Sequence, residues 1–233
     1  MNNIGSFFLS VLVSYGKFIS LLVHPKAPAD TGEFTPVIRF LATSDGHITT
    51  IGDVQTTRLE KMIKMCSKIA RNDKEYSRLD AVIVAGDITD MGTKIAYGSI
   101  KAALAPVLKK DTEFLATVST SHDDRKLGKA SLELYRNIMG QETDFHRVIN
   151  GFHFVGVSAS ETLKENYDDK QKNWLREQLD AAVADDPSKP VFVFQHEHIK
   201  DTVYGSYESE GWGMPDLADV IKKYPQVVDF SGH

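Results

Sequence analysis

From Pro36 onward, short apolar runs alternate with stretches in which apolar residues recur every three or four positions. The two periods predict strands and helices in alternation. "VIRFLATSD" (37–45) is a β-branched apolar run, a strand that ends at Ser44 and Asp45. "TTRLEKMIKMCSKIARN" (56–72) sets Leu59, Met62, Ile63, Cys66, Ile69 and Ala70 at helical spacing. "LDAVIVAGD" (79–87) is apolar throughout, as in a strand covered on both faces. "TKIAYGSIKAALAPVLKK" (93–110) predicts a helix that Pro106 kinks or ends. "EFLATVS" (113–119) is a third strand, and "KASLELYRNIMG" (129–140) a helix stopped by its glycine.

The second half continues the alternation. "FHRVINGFHFVGVS" (145–158) predicts a hairpin turning on Asn150-Gly151. "DDKQKNWLREQLDAAVADD" (168–186) is an amphipathic helix, with Trp174 at core spacing beside Leu175 and Leu179. "KPVFVFQHEH" (189–198) is a buried strand, "MPDLADVIKKYP" (214–225) a short helix, and "QVVDFSGH" (226–233) a last strand. Tyr204, Tyr207 and Trp212 form an aromatic, glycine-rich loop, either a lid over substrate or a packed surface.

The chain of 233 residues is long enough for one large α/β domain. A net charge of −5 argues against nucleic acid as a partner. It does not exclude an anionic substrate, because a bound cation reverses the local sign. The single cysteine, Cys66, lies on an apolar helix face, so it predicts an inert thiol and excludes an internal disulfide. Residues 4–23 are apolar over a length near that of a membrane span, interrupted by Lys17. They predict a signal peptide or membrane anchor within residues 1–25, followed by a Pro-rich linker over 26–36 and a domain over 37–233. An extracytoplasmic or membrane-anchored location follows, with an amphipathic helix packed on a cytoplasmic domain as the alternative.

Polar residues recur where strands end: Asp45 and His47, Asp87 and Asp90, His122 and Asp123, His196 and His198, then His233. In open α/β sheets ligands bind beyond the carboxyl ends of strands. Each residue alone reads as a cap or a turn. The repeated set instead predicts a site of mixed carboxylate and imidazole ligands, which suits Mn, Fe or Zn. A carboxylate such as Asp87 is placed to bridge two cations. His146 and His153 lie in the hairpin, off these positions, and are expected to be structural.

The ordered pieces "DGH" (45–47), "GDITD" (86–90), "TSHDD" (120–124), "QH" (195–196) and "SGH" (231–233) resemble the calcineurin-like metallophosphoesterases. That resemblance implies a two-sheet sandwich flanked by helices and a hydrolase of phosphate mono- or diesters carrying two divalent metal ions. It implies Asp45, His47 and Asp87 on one metal, and Asp87, Ser121, His196 and His233 on the other. A hydroxide bridging the pair would be the nucleophile, His122 the general acid and Asp90 the carboxylate that orients it.

The sequence departs from the family pattern in three ways. Ser121 stands where the family has an asparagine, and Thr120 where it has a glycine. The G-H-x-H piece is cut at His233, so the domain is expected to be incomplete at its C-terminus, with one histidine ligand missing. His198 is an extra histidine that could take its place. These departures keep an alternative open, a catalytically impaired module that binds a phosphorylated ligand or a protein.

Overall fold

The computed structural model describes residues 35–159, 167–203, 206 and 217–233. Residues 4–23 and the aromatic loop residues Tyr204, Tyr207 and Trp212 lie outside these. In chain order the elements are β1 (Phe40–Thr43), α1 (Val54–Asn72), β2 (Ala81–Ala85), α2 (Lys94–Leu104), β3 (Glu113–Thr117) and α3 (Lys129–Met139). Then come β4 (Phe145–Ile149), β5 (Phe152–Gly156), α4 (Asp169–Asp185), β6 (Val191–Phe194), α5 (Ala218–Ile221) and β7 (Val227–Phe230). Among the described residues no helix is long and apolar enough to cross a membrane.

Two sheets form, of order β1-β2-β3 and β4-β5-β6-β7. The first is wholly parallel. In the second only the β4–β5 hairpin is antiparallel. The alternation of side chains along each strand explains the layers. From β2, Ala81 and Ile83 join a cluster with Phe145, Phe154 and Phe194 of the other sheet. Val82 and Val84 point the opposite way, into a cluster with Ile63, Tyr97, Ile100 and Tyr135 of α1, α2 and α3. On the far side, Val155, Val191 and Val193 pack under Leu175, Leu179 and Ala182 of α4. The result is helices, sheet, sheet and helix in layers, as the resemblance implied.

Phenylalanine dominates the layer between the sheets. Phe194 stacks on Phe154 at 6.1 Å and on Phe230 at 5.0 Å, while Phe40 of β1 meets Phe154 edge-on at 5.1 Å. Each such pair adds about 0.5–1.5 kcal/mol beyond the area it buries. Phe40 and Phe230 thereby join the two sheets one element before the residues of interest.

Punctuation follows local chemistry. Asn150 and Gly151 take φ of 51° and 75°, as a tight hairpin turn requires. Gly140 caps α3 in the left-handed region, and Asp168 with Gln171 closes a capping box on α4. Some predicted boundaries contract. The first strand begins at Phe40, not Val37, because the Arg39 amide donates to the Asp80 carboxylate at 2.7 Å instead of joining the ladder. The helix predicted over 93–110 ends at Leu104, since Pro106 has no N–H to extend it.

Candidate metal centre

Parallel strands deliver their carboxyl ends to one edge. There the loop after β1 zips onto the loop after β2 through backbone bonds. The amides of Asp45, His47 and Ile48 donate to the carbonyls of Gly86, Asp87 and Ile88 at 3.2, 2.9 and 3.1 Å. This pairing bends the chain. Asp45, His47 and Asp87 take φ of 55°, 45° and 49°, and His233 takes 69°. A left-handed conformation costs a residue with a side chain about 1–2 kcal/mol. Six such residues occur among those described, and four of them are here. Concentrated strain of this kind marks functional sites, where packing holds it in place.

Asp87 is the hub. It is 3% exposed. Its Oδ1 accepts from the hydroxyls of Ser119 and Ser121, the latter at 3.1 Å. Its Oδ2 lies 3.2 Å from His196 Nε2, 3.8 Å from His47 Nε2 and 4.0 Å from His122 Nε2. Burial pushes the carboxyl pKa up, but His196, Ser119 and His122 together outweigh it and hold Asp87 at about 2. His196 is wholly buried and donates from Nδ1 to the Ala85 carbonyl at 2.9 Å, which turns Nε2 toward Asp87. Burial opposes its charge, yet Asp87 raises its pKa to about 9.

His122 meets Asp90 twice through Nδ1, at 3.2 Å to the carboxylate and 3.1 Å to the backbone carbonyl. Its Nε2 is thereby aimed at the cluster. The His47 and His122 rings stand edge to face, 4.5 Å apart. His233 donates its backbone amide to Asp45 Oδ2 at 3.1 Å, and its Nδ1 lies 3.4 Å from His196 Nε2. The final strand is drawn in by Gly232, whose amide donates to the His196 carbonyl at 3.0 Å. A side-chain carbon at Gly232 would fall 2.7 Å from Ser44 and 2.8 Å from the Ala85 carbonyl. At Gly86, with φ of 74°, one would fall 2.5 Å from the His196 ring. Close approach of backbone, not only conformational freedom, explains these two glycines.

Among the described residues, two overlapping groups have ligand atoms within 4.8 Å of one another: Asp45, Asp87 and His196, and His47, Asp87 and His122. Asp87 belongs to both. The expected assignment put Asp45, His47 and Asp87 on one metal and His122 in the role of general acid. Ser121 and His233 sit beside the groups, and Asp90 stands behind His122.

The donor set fits divalent cations. His47 Nε2 is 3.8 Å from both Asp45 Oδ1 and Asp87 Oδ2, too long for hydrogen bonds. It is near the ~3.4 Å separation of donors around an ion with ~2.1 Å bonds. The Nδ1 of His47 and the Nε2 of His198 are buried without partners. His198 packs 6.0 Å from the His233 ring.

One residue of the site escaped the sequence reading, and a second was read there only as a strand-end carboxylate. Ser119, read as part of a strand, anchors Asp87. Asp123, seen only as a neighbour of His122, is fully buried and accepts from the amides of Ile88, Thr89 and Ser119 at 3.3, 2.8 and 3.1 Å. It clamps the loop after β2 to the loop after β3. Burial pushes its pKa up to about 6 despite these donors. A run of hydroxyls and carboxylates, "STSHDD", was the available signal.

Residues 38–233 match the calcineurin-like phosphoesterase family. The chain belongs to that family. A probable cyclic nucleotide phosphodiesterase of Rhodococcus erythropolis is 28% identical over 202 residues, covering 82% of this chain and 62% of that protein. This phosphoesterase chain therefore spans about three-fifths of that relative's length. A purple acid phosphatase from yellow lupin (Lupinus luteus) seeds superposes with a TM-score of 0.58 over 86% of this chain and 38% of its own. At 13% identity, that likeness concerns the fold.

Proposed function

We propose that this calcineurin-like phosphoesterase hydrolyses phosphate esters with two divalent cations held at the edge of the sandwich. The observation that carries the reading is the pair of overlapping ligand groups sharing Asp87. Asp45, His47, Asp87, His196 and His233 would hold the cations, with Ser121 beside them. Such cations neutralise charge on phosphoryl oxygens and lower the pKa of water, so that a nucleophile exists near neutral pH. Mn, Fe and Zn all suit this mixture of oxygen and nitrogen donors.

The chain's own residues do the rest. Asp90 accepts from His122 Nδ1 and fixes the ring, so a proton held at Nε2 is directed toward the cluster. From there His122 protonates the departing alkoxide, a role worth about 10²–10⁴-fold in rate. Asp87 stays ionised because three imidazoles and two hydroxyls surround it. The left-handed backbone at Asp45, His47 and Asp87 presets their carboxylates and ring, which avoids reorganisation when substrate arrives. The related protein's description as a probable phosphodiesterase favours a diester substrate.

Hydrolysis of a mono- and a bis-aryl phosphate with added Mn²⁺ tests the proposal. Wild-type turnover above that of Asp87→Asn supports it, and equal rates at every metal tried defeat it. One observation favours the binding-module reading. The Ser121 hydroxyl donates to Asp87 at 3.1 Å, and a neutral hydroxyl is a poorer hard ligand than the amide oxygen it replaces, so the second cation would be held more weakly there. Calorimetric titration showing one weak metal site and no turnover would select that alternative.

A further inference from the structure

A second histidine cluster lies on the outer face of the other sheet. The hairpin brings His146 of β4 and His153 of β5 to the same side, because Val148 pairs with His153 and His146 with Val155. On α4, Gln178 and Asp185 are seven residues apart, two helical turns or about 10.5 Å along one face. The buried Ala182 between them leaves room for rings. Two imidazoles fill the span end to end. His146 Nδ1 meets Gln178 Oε1 at 2.8 Å, His146 Nε2 meets His153 Nδ1 at 2.7 Å, and His153 Nε2 meets Asp185 Oδ2 at 3.2 Å.

These four groups run in a line and do not converge on one point, so they hold a proton and not a metal ion. The number of protons follows from counting. Both ends of the line, an amide oxygen and a carboxylate, only accept. Each outer bond therefore needs a ring N–H, and the middle bond needs one more. Two neutral imidazoles carry two protons, one short of the three bonds.

We propose that His146 and His153 together bind one additional proton and form a clasp that pins the β4–β5 hairpin to α4 only in that singly charged state. Gaining a second proton sets two N–H groups face to face across 2.7 Å and breaks the middle bond. Losing the first leaves one of the three bonds unmade. The clasp thus weakens toward both acid and alkali. The charged group in contact with it is Asp185 of α4, while Arg147 of β4, whose side chain turns to the opposite face toward Glu113, acts on it through space. Burial first, then His153 and Arg147, hold the His146 pKa below its usual value against the Gln178 hydrogen bond.

Nitrogen-15 NMR of the histidine side chains on the intact chain, metal-free, tests the clasp without reference to catalysis. The expected result is two separated steps for the pair. Between them one ring is doubly protonated and the other is protonated at Nδ1 alone. A single common step for both rings overturns the proposal. Asp185→Asn should move the upper step to lower pH and Gln178→Glu should move it to higher pH. If neither variant moves it, the proposal fails. Hydrogen exchange of β4 and β5 amides should be slowest between the steps and rise roughly 2- to 10-fold outside them, the worth of one hydrogen bond. A flat profile counts against it.

Discussion

Among the described residues stand two histidine–carboxylate clusters, and they differ in kind. At the strand ends, Asp87 Oδ2 has three imidazole nitrogens at 3.2–4.0 Å, and buried ring nitrogens nearby lack partners. On the outer face, Asp185, His153, His146 and Gln178 form a line in which every ring nitrogen has a neighbour at 2.7–3.2 Å. Convergence with unmet polar atoms is how a protein waits for a cation. A line with matched partners is how it holds a proton. Backbone strain follows the same division. Asp45, His47 and Asp87 sit in left-handed geometry, whereas His146 and His153 lie in regular strands. Residue type alone does not separate the two; geometry does.

The contrast breaks most sharply at Asp87. Asp87→Asn should abolish Mn²⁺-dependent hydrolysis, a loss exceeding the roughly 10²–10⁴-fold attributable to a general acid. It should also remove the rise in thermal midpoint that Mn²⁺ gives the wild type. His153→Gln, in the other cluster, should keep that rise, and a metal-dependent rise lost in both variants would erase the distinction. Next in size, His122→Ala should cost about 10²–10⁴-fold on esters with poor leaving groups and far less on nitrophenyl esters. An equal loss on both would show that His122 acts as a ligand and not as an acid.

Gly86→Ala should lower stability by about 1–3 kcal/mol in chemical denaturation. The added carbon would meet the His196 ring at 2.5 Å, so metal affinity should fall with stability. Ser121→Asn should tighten metal binding up to roughly 10-fold in calorimetry, because an amide oxygen is a better hard ligand than a hydroxyl. The smallest effect concerns pH outside both clusters. Burial raises the Asp144 pKa to about 6, against the Ser158 amide and Arg136. The folded state then holds this proton more tightly than the unfolded chain does. Stability from this group is complete below the ordinary carboxylate range and is lost as pH rises to about 6. Asp144→Asn should flatten that slope in denaturation curves, leaving the clasp's two-sided profile more visible.

Much of the fold was legible because burial imposes period. The all-apolar "AVIVA" of β2 and the alternating "VFVF" of β6 could be read as strands covered on both faces, and Asn150-Gly151 as a turn. Asp45, His47, Asp87, His122, His196 and His233 stood out because carboxylates and imidazoles recur where strands end. Ser119 did not, since a serine in a strand is ordinary, and Asp123 stood out only as a carboxylate beside His122. Their importance arises from the loop after β2, where Ser119 donates to Asp87 and Asp123 accepts from the amides of Ile88 and Thr89.

The sequence by itself determined the alternation of elements, the apolar faces and the identity of the ligand-type residues, because these depend on local period and side-chain chemistry. The tertiary structure alone decided which histidines share a carboxylate and which share a proton. That choice rests on distances between residues as far apart as Asp45 and His233, and no local pattern encodes them.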